Sequence, residues 1–309
     1  MRLGNNGRIL GAAAAAIVAS ALLAGCTTGA GGTSGATPGA SSAAGSAGAT
    51  APAAASTVAR VTSASSSAGS LVGGETVTLS GSNLTGVDKV TFNGVASPAV
   101  VAKSPTSVTA VVPSAVNYQP SSGAIAVYKG AAIVASARSL TYTWAAKTGV
   151  DREMQYAFAH WNLPRYNAAY ANFDSLGGDC QNFVSQSLLA AGLAKSTSWF
   201  YDSEASHSTS WAYAPSFNDL APSLGFTRLA STQRSQLQVG DLAYFDWNNN
   251  GVPDHVMIVS AVSTVAGTTT VKLVGHNLDY DYRDLDTTLT KDHPGGTVWF
   301  YSLPTSLRS

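Results

Sequence analysis

The stretch GGDCQNFVSQSLLAAGL runs from Gly177 to Leu193 and holds Cys180, one of two cysteines in a 309-residue chain. Cys180, Phe183, Val184, Ser187, Leu188 and Ala191 recur at helical spacing, so the segment reads as a buried helix that stops at Gly192. Asp179 fits the N-cap, which puts Cys180 at the first helical position. Unsatisfied N–H groups and the macrodipole favour an anion there, so the thiol is expected to ionise more readily than a free cysteine. The same N–H groups, with Gln181 the next residue along, can hold a developing oxyanion. Gly177 and Gly178 keep side chains away, so that a substrate backbone can approach. A cysteine on an apolar helix is also a common core residue. The rest of the chain has to decide between the two.

Further along, VGDLAYFDW and PDHVMIVSAV read as two strands around the polar loop NNNGVPD. His255 opens the second strand, at a sheet edge where it can reach a helix N-terminus, and is the candidate base. Val256 to Val259 are apolar on both parities, as in a strand buried on both faces. A turn at Ala266-Gly267 would fold TTTVKLVGHNLDY back and bring residues 276 to 278 opposite His255. Alternation, with Val271 and Leu273 facing in, favours Asn277 as the group that orients the imidazole. A bulge at Gly275 would favour His276 instead.

Together, GGDCQNFVSQSLLAAGL, the preceding YNAAYANF, VGDLAYFDWNNNGVPDHVMIVSAV and GHNLDYDYRDL resemble a bacterial amidase domain family related to the CHAP and NlpC-type papain-like cysteine hydrolases. The resemblance covers about residues 150–303. It implies an α+β papain-like domain, with the cysteine helix packed on an antiparallel sheet, and amide hydrolysis through an acyl-thioester. By position it makes Cys180 the nucleophile and His255 the base. The family's His-Thr-Asn-Asp run falls on His276-Asn277-Leu278-Asp279 and supports His276, whereas CHAP-like domains favour an Asn at the later place. The third member stays open between Asn277 and His276. Asp179, Gly178 and Gln181 are the expected support of the nucleophile.

Upstream, Val58 to Trp144 carries short Val/Thr/Tyr-rich segments, ETVTLSG, DKVTFNG, SVTAVVP, AIAVYKG and LTYTW, bounded by Gly, Pro, Asn and Ser. Such spacing implies an all-β sandwich. The run GGETVTLSGSNL, then VTFNG, then VP resembles the IPT/TIG immunoglobulin-like family. This region reads as a spacer, or as a module that touches wall polymer or protein.

The first residues carry Arg2 and Arg8, then the apolar ILGAAAAAIVASALLAG, then Cys26. This reads as a signal peptide over 1–25, and LLAGC resembles a bacterial lipobox, which implies lipidation of Cys26. Residues 26–56, rich in Ala, Ser, Gly and Thr, read as a flexible linker. The expected division is therefore 1–25, 26–56, an immunoglobulin-like sandwich over 57–144 and the cysteine hydrolase domain over 150–309. With Cys26 lipidated, Cys180 would have no disulfide partner.

Only 11% of residues are charged, 17 basic against 17 acidic. No basic stripe points to nucleic acid. DWNNNGVPD lacks the closing Glu of a calcium loop, and His207, His255, His276 and His293 lack zinc-ligand spacing, so no metal or cofactor is expected. Trp199, Tyr201, Trp211 and Tyr213 are candidates to line a cleft. The leading expectation is a surface-anchored amide hydrolase acting on peptidoglycan, at the N-acetylmuramoyl–L-alanine amide or a stem-peptide bond. The alternatives are a non-catalytic wall-binding or adhesion lipoprotein, and an acyltransferase that uses the same thioester.

Overall fold

Strand-forming residues dominate the fold, and a few helices pack on the sheets. The computed structural model describes residues 58–136 and 139–309. The expectations of a signal peptide, a lipidated Cys26 and a linker lie outside the described residues.

The first domain is two facing sheets. One has the order β10 (Ala135–Ser136), β1 (Arg60–Ala64), β3 (Thr76–Ser82), β7 (Ser107–Val111), β6 (Val100–Ser104). The other has the order β2 (Ala68–Ser70), β11 (Thr141–Ala145), β8 (Ser121–Lys129), β4 (Lys89–Phe92), β5 (Val95–Ala96), with β9 (Ala132–Ile133) paired to β8. Alternation explains the packing. Val77 and Leu79 of β3, Val108 and Ala110 of β7, and Tyr142 and Trp144 of β11 point into one shared core, while their neighbours are less buried. The five predicted segments are β3, β4, β7, β8 and β11.

The second domain begins at α1 (Gly149–His160) and includes α2 (Cys180–Ala191). A small hairpin follows, β12 (Tyr201–Ser203) and β13 (Ser206–His207), then two short helices, α3 (Thr209–Ala212) and α4 (Ala214–Leu220). The main sheet is antiparallel throughout, with the order β14 (Thr227–Leu229), β19 (Thr297–Ser302), β15 (Leu242–Asp246), β16 (His255–Val265), β17 (Thr268–Gly275), β18 (Tyr280–Asp284). The turn at Ala266-Gly267 has both residues at positive φ, 49° and 82°, as a tight hairpin requires.

As the double-parity pattern of β16 implied, this sheet is covered on both faces. Val256, Ile258 and Val274 join Met154, Phe158, Phe183 and Leu188 of the helices. Met257, Val259, Val271 and Leu273 join Phe245, Leu285 and Phe300 on the other side. Val271 and Leu273 are thus buried, but on the face away from α2. Among the four candidate cleft aromatics, Trp199, Trp211 and Tyr201 are packed in the core, and only Tyr213 is exposed.

The described residues form one unit. The immunoglobulin-like domain is docked on its neighbour rather than strung out as a detached spacer. Tyr118 leaves the first domain, packs 5.0 Å from the Phe158 ring and donates its hydroxyl to the Ser260 carbonyl at 2.5 Å. Asp151, at the third position of α1, forms a capping box with Thr148 and accepts from the Lys147 and Thr148 N–H groups. Its other oxygen accepts from the Ser70 hydroxyl and the Val72 N–H of the first domain.

Candidate active site

The helix that carries Cys180 is buried almost all round, and its polar residues are satisfied in place. Gln181 accepts from the Tyr244 hydroxyl at 2.8 Å and donates to Ser185. Asn182 accepts from the Trp211 indole at 2.7 Å and donates to Asp179 and to the Ala171 carbonyl. These bonds fix the helix against its surroundings, and Gly192 ends it at φ 102°.

Cys180 is the first residue of α2 and a free thiol, 7% exposed. Burial pushes the thiol up to about 11. The backbone N–H groups of Val256, Gln181 and Cys180 itself oppose that rise, and the neighbouring Asp179 charge adds to it. The expectation of an acidic thiol is therefore overturned. The helix N-terminus is present, but burial and Asp179 outweigh it.

Asp179 occupies the N-cap position without capping α2 through its side chain. Its oxygens accept from the Phe173 N–H at 2.9 Å, from Asn182 at 2.8 Å and from His276 Nδ1 at 2.7 Å. His276 also bonds the His160 carbonyl through Nε2 at 2.8 Å, and its ring lies between Tyr166 and Phe183, 3.6 and 4.1 Å away. Both ring nitrogens lie within hydrogen-bond distance of an oxygen. His276 thus clamps Asp179 to the end of α1. Asn277 accepts from the Asp179 N–H at 2.5 Å, and its amide crowds Gly178, where a Cβ would come within 2.7 Å of Nδ2. Gly178, at φ 129°, is the only residue type that fits both the backbone and that approach.

His255 stands at the edge of β16, half-buried, with Phe245 and Trp247 each 6.1 Å from its ring. Burial, and to a lesser degree the nearby His293, lower its imidazole to about 4. His293 is itself stacked on Trp247 at 3.8 Å. Parity places His255 with Met257 on the face opposite α2, while Val256 turns towards the cysteine.

Two cavities open here. One, about 700 Å³, has Cys180, Gly177, Gly178, His207 and Asp254 in its wall. The other, about 640 Å³, has His255, Asn277, His293 and the same Asp254. Cys180 and His255 thus face adjoining cavities with Asp254 common to both. The hydrogen bonds of His276 and Asn277 go to Asp179 and the His160 carbonyl rather than to the His255 imidazole.

The register accounts for this third position. Ile258 pairs with Val274 on the α2 face, and alternation from Val274 past the end of β17 at Gly275 puts His276 on that same side. The ladders of β17 shift register between Val259 and Ala261 on the β16 side and between Leu273 and Gly275 on the β18 side. Residues 277–279 then turn away at positive φ.

Sequence reasoning weighed His207 only as a metal ligand and missed its place in the Cys180 cavity. Its one distant signal was the pair of short strands, β12 and β13, that carry it in. The loop from Asp246 closes on itself, since the Asp246 carboxylate accepts from the Asn250 and Gly251 N–H groups.

Residues 149–301 match the family model described as "Putative amidase domain", and residues 59–142 match that of the "IPT/TIG domain". No curated protein matches the chain. Among solved structures it is similar to a Bacteroides ovatus protein, SGBP-B of the mixed-linkage glucan utilization locus in complex with a mixed-linkage heptasaccharide, at 10% identity and a TM-score of 0.25. That match covers 80% of this chain and 52% of the other, so this chain spans about half the length of SGBP-B. At that level the likeness transfers neither fold nor ligand. The two family matches fall where the two cores do, the IPT/TIG match on the first and the amidase match on the second.

Proposed function

We propose that the protein is a cysteine hydrolase of the papain-like kind that cleaves an amide bond of peptidoglycan through Cys180. The observation that carries this reading is the placement of Cys180. It is the first residue of a helix whose polar residues are bonded in place, and it opens on a large cavity beside that of His255. The match to an amidase family agrees with it.

In the resting protein both partners are neutral, a thiol and an imidazole. For His255 to take the Cys180 proton as the sulfur attacks the amide carbonyl, its ring has to turn from the opposite face of the sheet towards the adjoining Cys180 cavity. The N–H groups at the start of α2 receive the oxyanion. Collapse breaks the C–N bond, and the amine leaves with the proton from His255. Water then gives a proton to His255 and attacks the thioester. The acid departs and the thiol regains its proton. Asp179, His276, Asn277 and Gly178 hold the turn before the nucleophile. With Cys26 lipidated, the enzyme works at the outer face of the bacterial membrane on the N-acetylmuramoyl–L-alanine amide or a stem peptide.

His207 is a second base candidate, because it shares the Cys180 cavity directly and its Nδ1 is buried without a partner. The test is to incubate the protein with purified sacculi and follow released fragments by mass spectrometry. New free amines are expected from the wild type and none from Cys180→Ala. His255→Ala is expected to abolish release while His207→Ala retains it, and the reverse pattern would make His207 the base. Equal release by wild type and Cys180→Ala would overturn the cysteine mechanism. Wall binding without release would favour a binding lipoprotein.

A further inference from the structure

The two cavities that meet at Asp254 are one-sided in charge. Around Cys180 the carboxylates are Glu204 and Asp254, around His255 they are Asp174, Asp254 and Asp279, and no Lys or Arg lines either cavity. This bias arises in a chain with 17 basic and 17 acidic residues. The carboxylates differ in how free they are. Asp279 accepts from the Tyr166 hydroxyl and the Leu163 N–H, Asp254 from the Trp247 N–H, and Asp174 from Asn172. Glu204, in the turn of the β12–β13 hairpin, is exposed and has no hydrogen-bond or ion-pair partner among the described residues.

The rims add a second, independent feature. Leu176, Tyr213 and Val252 stand around the Cys180 cavity at 74%, 54% and 45% exposure, and Leu163 and Leu278 around the His255 cavity at 60% and 74%. Of the eleven large hydrophobic side chains most exposed among the described residues, these five ring one cleft. Apolar side chains gathered in this way mark a surface that receives a ligand. An anionic glycan would meet like charge on both sides of the nucleophile.

We propose that the cleft selects a peptide amide carrying a free ammonium group, with its apolar stretches against the rim and the ammonium paired to Glu204 in the Cys180 cavity. This rests on Cys180 being the nucleophile. Glu204 is a specificity-determining residue, and its effect falls as ionic strength rises.

The potential at the sulfur can be read without turnover. Full-length protein is treated with aminoethyl (cationic) or sulfonatoethyl (anionic) methanethiosulfonate, and modification of the Cys180 peptide is followed by mass spectrometry, each rate being normalised to free cysteine. The cationic reagent is expected to react on the order of tenfold faster than the anionic one, as steering by a few charges allows. Glu204→Gln is expected to shrink that ratio severalfold. A wild-type ratio near one, or a ratio that Glu204→Gln leaves in place, overturns the proposal. This holds whether or not sacculi are cleaved, so failure here and failure of the hydrolase reading are separate results. In turnover, a peptide amide with a free amine should be preferred over its acetylated twin, and the preference should narrow in Glu204→Gln. Equal use of both by the wild type also overturns it.

Discussion

At Cys180 burial and backbone donors pull in opposite directions, and burial wins. The resting thiol, pushed up to about 11, is not poised as a thiolate at neutral pH, and His255, lowered to about 4, is not poised as an imidazolium. Alkylation of Cys180 should therefore climb steadily with pH from 7 towards 10. A plateau between pH 6 and 8 would reveal a preformed ion pair and contradict this structure. The acid limb of kcat/KM for the free enzyme should fall near pH 4, where His255 gains its proton. His276 and Asn277 belong to the support of the nucleophile. His276→Phe keeps the stacking but leaves the buried Asp179 carboxylate short of a partner. Loss of one hydrogen-bond partner of a buried carboxylate costs about 1.5–3 kcal/mol. Asn277→Ala removes one acceptor and should cost about 1–2 kcal/mol. Urea denaturation checks both, and an equal cost for the two variants would mean that the His276–Asp179 contact is not what holds the turn.

At the scale of elements, α1 carries two buried carboxylates whose titrations act in opposite directions. Burial pushes Glu153 well above the carboxylate range, and its two oxygens have no hydrogen-bond partner. Such a group holds its proton more tightly when folded. Its contribution is full at acid pH and is lost as pH rises from the ordinary carboxylate range through the folded value. For Asp151 burial alone would raise the value, but the bonds from Ser70, Thr148, Lys147 and Val72 outweigh it and lower it. Its contribution is full above the ordinary range and is lost as pH falls through the lowered value. Glu153→Gln should therefore gain stability relative to wild type as pH is raised from 4 to 8. Asp151→Asn should lose stability relative to wild type as pH is raised from about 2 to 5, because the wild type gains there what the variant cannot. Melting temperatures at stepped pH decide, and parallel curves for wild type and variants would sink both assignments.

The elements also show what a sequence can convey. Helical spacing around Phe183 and Leu188, the double-parity run of β16 and the Ala266-Gly267 turn are local patterns, and they are legible. The roles around the nucleophile depend on which sheet face a residue meets. That face is set by the Ile258–Val274 register and by the packing of Tyr166 and Phe183, contacts far apart in the chain. Depth is equally non-local. A cap position promised a low thiol value, and only the completed core reveals that burial reverses it.

Across the whole molecule, two cores touch through a small set of named contacts. Tyr118, 2% exposed, is counted by chain position with the sandwich and by packing with the second domain. The connecting chain between β11 and α1 is short and its Lys147 is exposed. Asp151 is at once the start of α1 and the acceptor for Ser70 and Val72. Cutting the backbone after Lys147 would thus sever the covalent link but leave the joint in place. A protease-nicked preparation should elute from a sizing column as a single peak near the mass of the uncut chain and separate into two fragments only in denaturant. Two native peaks would show that the Tyr118 and Asp151 contacts are too weak to hold the halves. If the peak stays single, the covalent connection is dispensable once folding is done, and the halves expressed as separate polypeptides should find each other and restore the joint.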